Sequence, residues 1–313
     1  MAFLPRFGAY IPQYVNFDLA KSFAQRAEKL GFHSLWVNDH LAAPFGDVSD
    51  IQLDGWTLLS SLASITSKVR LGTLVICNPL RHPAVLAKMA ATLDNISGGR
   101  LDFGIGAGWK MEDFKMIGSS PQLGAIKLAQ LEEAIQIILK LWSQDNVIFT
   151  GNYYKLEKGY CAPKPLQKPH PLILLGVGTG RTGIRLIAHY ADKCNFTRIT
   201  PDEYRRKLDE ATSESRSMGR RTKIKSTISL NIAIKLRADE YEGQLQQMAK
   251  LYNQSVKEFM QRYNLITGTP EECAASLMKY STMPIDEFIL FFPENNFEKQ
   301  MECFMNIIAP CLM

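Results

Sequence analysis

The sequence predicts an α/β fold: a closed (β/α)8 barrel of the TIM type, with insertions. Three observations lead there. Short β-rich runs alternate with amphipathic helical stretches almost from end to end, and eight strand–helix pairs can be counted. Strands joined by helical crossovers must pair in parallel, and parallel sheets bury both faces. No composition break, repeat or low-complexity tract divides the chain, so its 313 residues read as one domain, 1–313. Eight pairs suit a closed barrel better than an open doubly wound sheet.

Taken in order, residues 6–11 form the first strand candidate and 18–30 an amphipathic helix, with Gly31 where a helix C-cap belongs. Residues 34–37 form the second strand, followed by a polar loop over 40–54 that is too long for a simple turn. Helix 56–66, strand 70–77, helix 83–96, strand 100–106 and helix 126–142 follow. The stretch 147–156 alternates around Gly151-Asn152 and reads as a β-hairpin. After a proline-rich loop come strand 172–176, helix 181–190, strand 192–197, helix 201–218 and strand 224–234. A helical region over 240–263, helix 270–280, strand 287–291 and helix 297–308 complete the chain.

Composition narrows the class. Hydrophobic residues make up 46% and charged residues 21%, which excludes a disordered polymer, a collagen-like repeat and a disulfide miniprotein. Lys and Arg number 36 against 31 Asp and Glu, a basic excess too mild to argue for nucleic acid but compatible with an anionic small molecule. The six cysteines are scattered without a C-x-x-C pair, so reduced thiols in a cytoplasmic protein are expected, with no zinc site. The N-terminal segment does not read as a signal peptide, and no apolar run approaches the ~18 residues of a membrane helix.

In such a barrel, chemistry sits where strands end and the following loops begin. That criterion selects Asn38-Asp39-His40 after the second strand, and Cys77, Asn78 and Arg81-His82-Pro83 after the third. It also selects the run Gly104–Trp109 after the fourth strand, Gly176–Arg181 after the fifth, and Thr197 and Arg198 after the sixth. In Gly176–Arg181, glycines let backbone N–H groups approach an anion, and the following helix points its positive end at the same spot. Thr179 and Arg181 could add bonds to a phosphate; a tight turn needing glycine only for its shape is the alternative. Asp39-His40 offers an anion beside an acid/base imidazole, or else a loop cap beside a solvated ring. His82 reads as a helix start, and His33, His170 and His189 as structural. Neither H-x-x-x-H nor a G-x-S-x-G elbow is present. Spacing alone thus leaves the reaction open: a barrel binding an anionic, partly planar cofactor.

Three runs carry a resemblance: W-V-N-D-H-L (36–41), V-R-L-G-T-L-V-I-C-N-P-L-R-H-P-A-V-L-A-K (69–88) and A-T-L-D-N-I-S-G-G-R-L-D-F-G-I-G-A-G-W (91–109). G-N-Y-Y (151–154), P-K-P-x-Q (163–167), A-D-K-C-N (191–195) and a late G-T-P-E-E (268–272) continue it. Together they resemble the bacterial luciferase-like oxidoreductases, most nearly the branch that uses the deazaflavin coenzyme F-420, with FMN as the cofactor of other relatives. The resemblance implies that Asp39 and His40 meet the ring and substrate, and that a non-prolyl cis peptide joins Val75 and Ile76 behind the ring. It implies that Val75, Ile76, Cys77, Asn78, Gly106, Ala107 and Gly108 surround the ring. Gly176, Gly178, Thr179, Gly180, Arg181 and Thr197 would hold the phosphate.

One departure stands out. Sugar- and alcohol-oxidising relatives carry a glutamate where this chain has Trp109, and an indole cannot exchange that proton. Glu112 or Asp113 is then expected to substitute, while Trp109 either stacks on a conjugated substrate or plugs the barrel mouth. The expected function is hydride transfer between coenzyme F-420 and an organic substrate, with loop 40–54 and region 238–263 walling the pocket and Lys/Arg at the mouth holding an acidic tail. The alternatives are an FMN-dependent monooxygenase served by a separate flavin reductase, and a non-catalytic binder of the same cofactors. By analogy with relatives, the protein is expected to be a homodimer.

Overall fold

Eight parallel strands close on themselves in chain order: Arg6–Tyr10, Ser34–Val37, Arg70–Thr73, Leu101–Gly106, Leu172–Leu175, Lys193–Asn195, Lys225–Ile234 and Glu287–Phe291. The eighth returns to the first with Arg6 opposite Glu287 and Ala9 opposite Leu290, and the sixth and seventh close the opposite side. The structure is a computed structural model; it describes residues 5–44, 46–119, 123–197, 199–220, 222–262, 265–280 and 283–312. Arg198 and Tyr263 therefore lie outside the described residues.

Local chemistry explains the alternation. Helix Phe17–Leu30 starts where the Asn16 side chain accepts from the Leu19 N–H at 2.9 Å, and ends at Gly31 in the left-handed region, φ 86°. Helix Pro83–Ile96 starts at His82, whose Nδ1 accepts from the Ala84 N–H at 3.2 Å, so this imidazole serves as a cap. Inside the barrel the fully buried Trp36 is accommodated by glycine: a Cβ on Gly72 would fall 2.3 Å from its ring, and one on Gly8 would fall 2.8 Å from its Nε1.

The foot of the barrel, at the amino ends of the strands, holds a buried ionic cluster. Lys193 Nζ donates to Asp102 at 2.7 Å and to Glu287 at 2.9 Å; Arg70 reaches the other Asp102 oxygen at 2.6 and 2.9 Å. Ser34 donates to Glu287 and accepts from Trp36 Nε1 at 2.7 Å. Burial disfavours both charged forms, yet the opposite charges win: Asp102 is held below its ordinary value and Lys193 above.

Several elements depart from expectation. The third strand stops at Thr73, whose hydroxyl donates to Gly104 O at 2.7 Å and accepts from Gly104 N at 3.0 Å, displacing the ladder. The chain bulges at 74–75 and rejoins as Ile76–Cys77, opposite Ile105 and Gly106. Helix Met111–Met116 and strand Leu265–Gly268 were not foreseen; the latter pairs with residues 231–234 of the long seventh strand. The region read as one helix is two, Ala238–Leu251 and Val256–Arg262, with Asn253 between them at φ 52°. The hairpin strands are Val147–Thr150 and Lys155–Gly159, joined by four residues; Glu133 holds the turn by accepting from the N–H groups of Asn152, Tyr153 and Tyr154.

Candidate functional site

A cavity of about 1330 Å³ opens at the carboxyl ends of the strands. Small-molecule pockets usually enclose ~300–1,000 Å³, so the chamber has room for a cofactor together with a second ligand. Loop 40–54 and residues 247–253 form parts of its wall, as expected.

The bulge after the third strand makes one wall, through Leu74, Val75, Ile76 and Cys77. It contains a non-prolyl cis peptide that joins Leu74 to Val75, one residue earlier than expected. The register explains the shift: pairing ends at Thr73 and resumes at Ile76, so the turn falls on 74–75. It leaves the Val75 side chain against Gly106 and Gly176. A Cβ on Gly106 would fall 2.6 Å from the Gly176 carbonyl oxygen and 2.7 Å from Val75 Cγ2. Gly106 is accordingly covered by Val75 and does not reach the cavity wall, whereas Ala107 and Gly108 do.

Asp39 fastens this wall. Its carboxylate accepts from the Cys77 N–H at 3.0 Å and from Arg81 at 2.9 and 2.7 Å, and Arg81 extends to Asp54 at 3.1 Å. Burial pushes the Asp39 carboxyl up, against the lowering pull of Arg81. The Asn78 amide donates to Tyr154 OH of the hairpin at 3.2 Å and stays off the cavity wall.

His40 and Asp113 form the second constellation. His40 Nδ1 lies 2.6 Å from Asp113 Oδ2, and the other Asp113 oxygen accepts from Leu41 N at 3.0 Å and Ala42 N at 3.3 Å. Burial works to raise Asp113, but the hydrogen bonds and charge at His40 and the two N–H groups hold it below its ordinary value. With Nδ1 so engaged, Nε2 is the nitrogen His40 can offer to the cavity it lines. Trp109 stands at the rim, 57% exposed, edge-on to His40 at 5.4 Å. Glu112 is not brought in: it is half exposed, 3.8 Å from Lys110, and outside the cavity wall. Successive helix residues point about 100° apart, and here Asp113 turns to His40 while Glu112 turns to Lys110.

Across the chamber, Gly176, Gly178, Thr179 and Thr197 line the wall, while Gly180 and Arg181 do not; Arg181 is exposed at the start of helix Arg181–Tyr190. Gly183 lets that helix sit against the loop, since a Cβ there would meet the Gly178 carbonyl oxygen at 2.0 Å. The charged rim also differs from expectation. Asp47, Asp50, Glu203 and Glu294 line it against Lys250 as the sole Lys or Arg among the described residues. Sequence reasoning missed Tyr10, Tyr14, Tyr252 and Glu294, which meet on one wall from distant segments without a local motif. His33 contacts Arg6 at 3.0 Å, and His170 sits against Pro171 O at 2.9 Å, both outside the chamber, as is His189. No group of three metal-ligating side chains occurs among the described residues, and none of their helices is long and apolar enough to cross a membrane.

The class these features define is settled by comparison. The luciferase-like monooxygenase family profile matches residues 1–262, and the chain belongs to that family, whose fold is the (β/α)8 barrel seen here. Among curated relatives, it is 27% identical to the F420-dependent glucose-6-phosphate dehydrogenase of Kineococcus radiotolerans, over 93% of this chain and 91% of that one. It is 28% identical to the FMNH(2)-dependent dimethylsulfone monooxygenase of Pseudomonas putida, over 67% of this chain and 56% of that one. The chain spans about half the length of the monooxygenase relatives it matches. Its fold superposes on an F420-dependent secondary alcohol dehydrogenase in complex with an F420-acetone adduct, with TM-score 0.87, 22% identity and 99% of both chains covered.

Proposed function

We propose that this protein is an oxidoreductase that moves a hydride between coenzyme F-420 and a small organic substrate. The observation that carries the reading is the pairing of two features in one chamber: a backbone wall at residues 74–77 fastened by Asp39, and His40 oriented by Asp113. The near full-length relationship to an F420-dependent dehydrogenase supports the cofactor. The fit is physical too. Gly108 has φ 77°, and a side chain there would collide with Cys77 Sγ, so backbone forms the surface offered to a flat ring.

When bound, the deazaflavin supplies the hydride chemistry. This chain's residues do the rest. Asp39 fixes the Cys77 N–H and with it the wall against which the ring would lie. His40 Nε2 takes a proton from, or returns one to, the reacting group of the substrate, with Asp113 holding the proton on Nδ1. Gly178, Thr179 and Thr197, which line that wall, would hold the phosphate. Trp109 screens the rim from water.

The second reading, an FMN-dependent monooxygenase with a separate reductase, is favoured by the acidic rim, which is poorly matched to an acidic cofactor tail. Titrating the pure protein with each cofactor and following fluorescence tests the choice. Saturable binding of F-420 ahead of FMN is expected; tight FMN binding without a response to F-420 would transfer the assignment to the second reading. Cofactor binding with no turnover over a broad substrate panel would favour a non-catalytic binder.

A further inference from the structure

Away from the residues assigned to the cofactor, one wall of the chamber has an electrostatic character that the cofactor leaves unused. Tyr10, Tyr14 and Tyr252 meet Phe291 and Glu294 there. Tyr10 stacks on Phe291 at 4.1 Å, and its hydroxyl is committed to Gln13 at 3.2 Å; the Tyr252 hydroxyl donates to Asn231 at 3.2 Å. With those two hydroxyls engaged, Tyr10, Tyr252, Phe291 and Glu294 present aromatic surface and acceptors to a ligand. One Glu294 oxygen accepts from Gln247 Nε2 at 3.1 Å, while the other has no hydrogen bond among the described residues. Gln247 Oε1 is buried with no partner among the described residues. Turning the amide over would set its oxygen against the Glu294 carboxylate, so the orphan is an acceptor.

A buried acceptor without a donor is costly, and a partly buried carboxylate without a cation favours a cationic partner. Burial raises the Glu294 carboxyl, and Glu294 in turn adds to the rise that burial imposes on the Tyr14 phenol. Asp47, Asp50 and Glu203 add negative potential around the opening, against Lys250 as the one lining Lys or Arg among the described residues. Both deficits are met by one kind of ligand: a cation carrying N–H donors, with an apolar body for the aromatic wall.

We propose that the substrate is an organic amine bound as its ammonium ion, with Glu294 as counter-charge, Gln247 Oε1 accepting an N–H once its side chain turns toward the chamber, and the Tyr10–Phe291 stack and Tyr252 packing its body. This names the substrate class for the chamber described above, and rests on that chamber being the substrate site.

The test uses a series with a common phenyl body, benzylammonium, benzyl alcohol, benzoate and benzyltrimethylammonium, titrated by saturation-transfer NMR with and without F-420 or FMN. Benzylammonium is expected to bind about tenfold or more tightly than benzyl alcohol, with benzoate weakest. Benzyltrimethylammonium, lacking N–H, should fall below benzylammonium; equal affinity would overturn the Gln247 role. Glu294→Gln should bring the ammonium-to-alcohol ratio to about one, and Gln247→Leu should lower it in part, both with cofactor titrations unchanged. Equal binding of ammonium and alcohol, an undiminished ratio in Glu294→Gln, or no binding of any probe up to about 10 mM would overturn the proposal. Cofactor titrations read separately: a protein that binds neither cofactor but prefers the ammonium defeats the oxidoreductase reading while sustaining this one.

Discussion

At the foot of the barrel, Lys193 lies between Asp102 and Glu287, Arg70 closes on Asp102, and Ser34 and Trp36 complete the hydrogen bonds of Glu287. At the mouth, among the described residues, polar groups are held on one side and left open on the other: His40 by one nitrogen, Glu294 by one oxygen, Gln247 by its amide nitrogen alone. The same burial that makes paired charges rigid at one end leaves acceptors with unmet demand at the other. Stability is concentrated where the valences are full, and ligand chemistry where they are not.

The largest expected effect tests the foot. Lys193→Met removes the ammonium bonded to buried Glu287 and leaves Asp102 with Arg70 alone, and should cost about 3–5 kcal/mol in chemical denaturation. A loss under about 1 kcal/mol would show that the cluster is not a stabilising unit. Next comes Gly108→Ala, which forces a side chain into φ 77° with its Cβ 2.5 Å from Cys77 Sγ. About 2 kcal/mol of stability should be lost, along with weaker cofactor binding in the same fluorescence titration.

Asp113→Asn should be milder at neutral pH, about 1–2 kcal/mol, because the amide oxygen can still accept from the Leu41 and Ala42 N–H groups. Its signature is in acid. The folded Asp113 carboxyl titrates below its ordinary value of 3.8, so its contribution is complete above that value and disappears as pH falls through the lower folded one. Stability measured against pH should therefore decline less below pH 4 in the variant than in the parent. The smallest effect concerns access. Burial pushes the Cys77 and Cys194 thiols up to about 12, and Cys311 is the exposed cysteine, so a thiol reagent near pH 8 should modify one of the six rapidly. A second fast thiol at Cys77 would mean that the mouth opens more widely than described.

Much of the barrel was legible because burial on both faces and helical periodicity are local properties of sequence, and all eight barrel strands lie where the alternation put them. Strand Leu265–Gly268 was not, since four residues added to the edge of another strand leave no periodic mark. In the site, Asp39 and His40 were visible as polar residues at a strand end. Their partners were less so: Arg81 is 42 positions from Asp39, and the choice of Asp113 over Glu112 depended on the phase of a six-residue helix that the sequence did not reveal. Tyr10, Tyr252 and Glu294 converge only because the barrel brings strand ends together, and nothing near any one of them announces the others.

The seventh strand is ten residues long where most of its neighbours have three to five, and its registers divide it by height. Residues 225–227 pair with the sixth strand, 227–231 with the eighth, and 231–234 with the added strand Leu265–Gly268. Ring closure is thus finished before the segment bearing Gln247 and Tyr252 departs from the strand. A homologous 235–268 segment could be exchanged like a turret on a completed tower, altering what the chamber admits without reopening the staves beneath it.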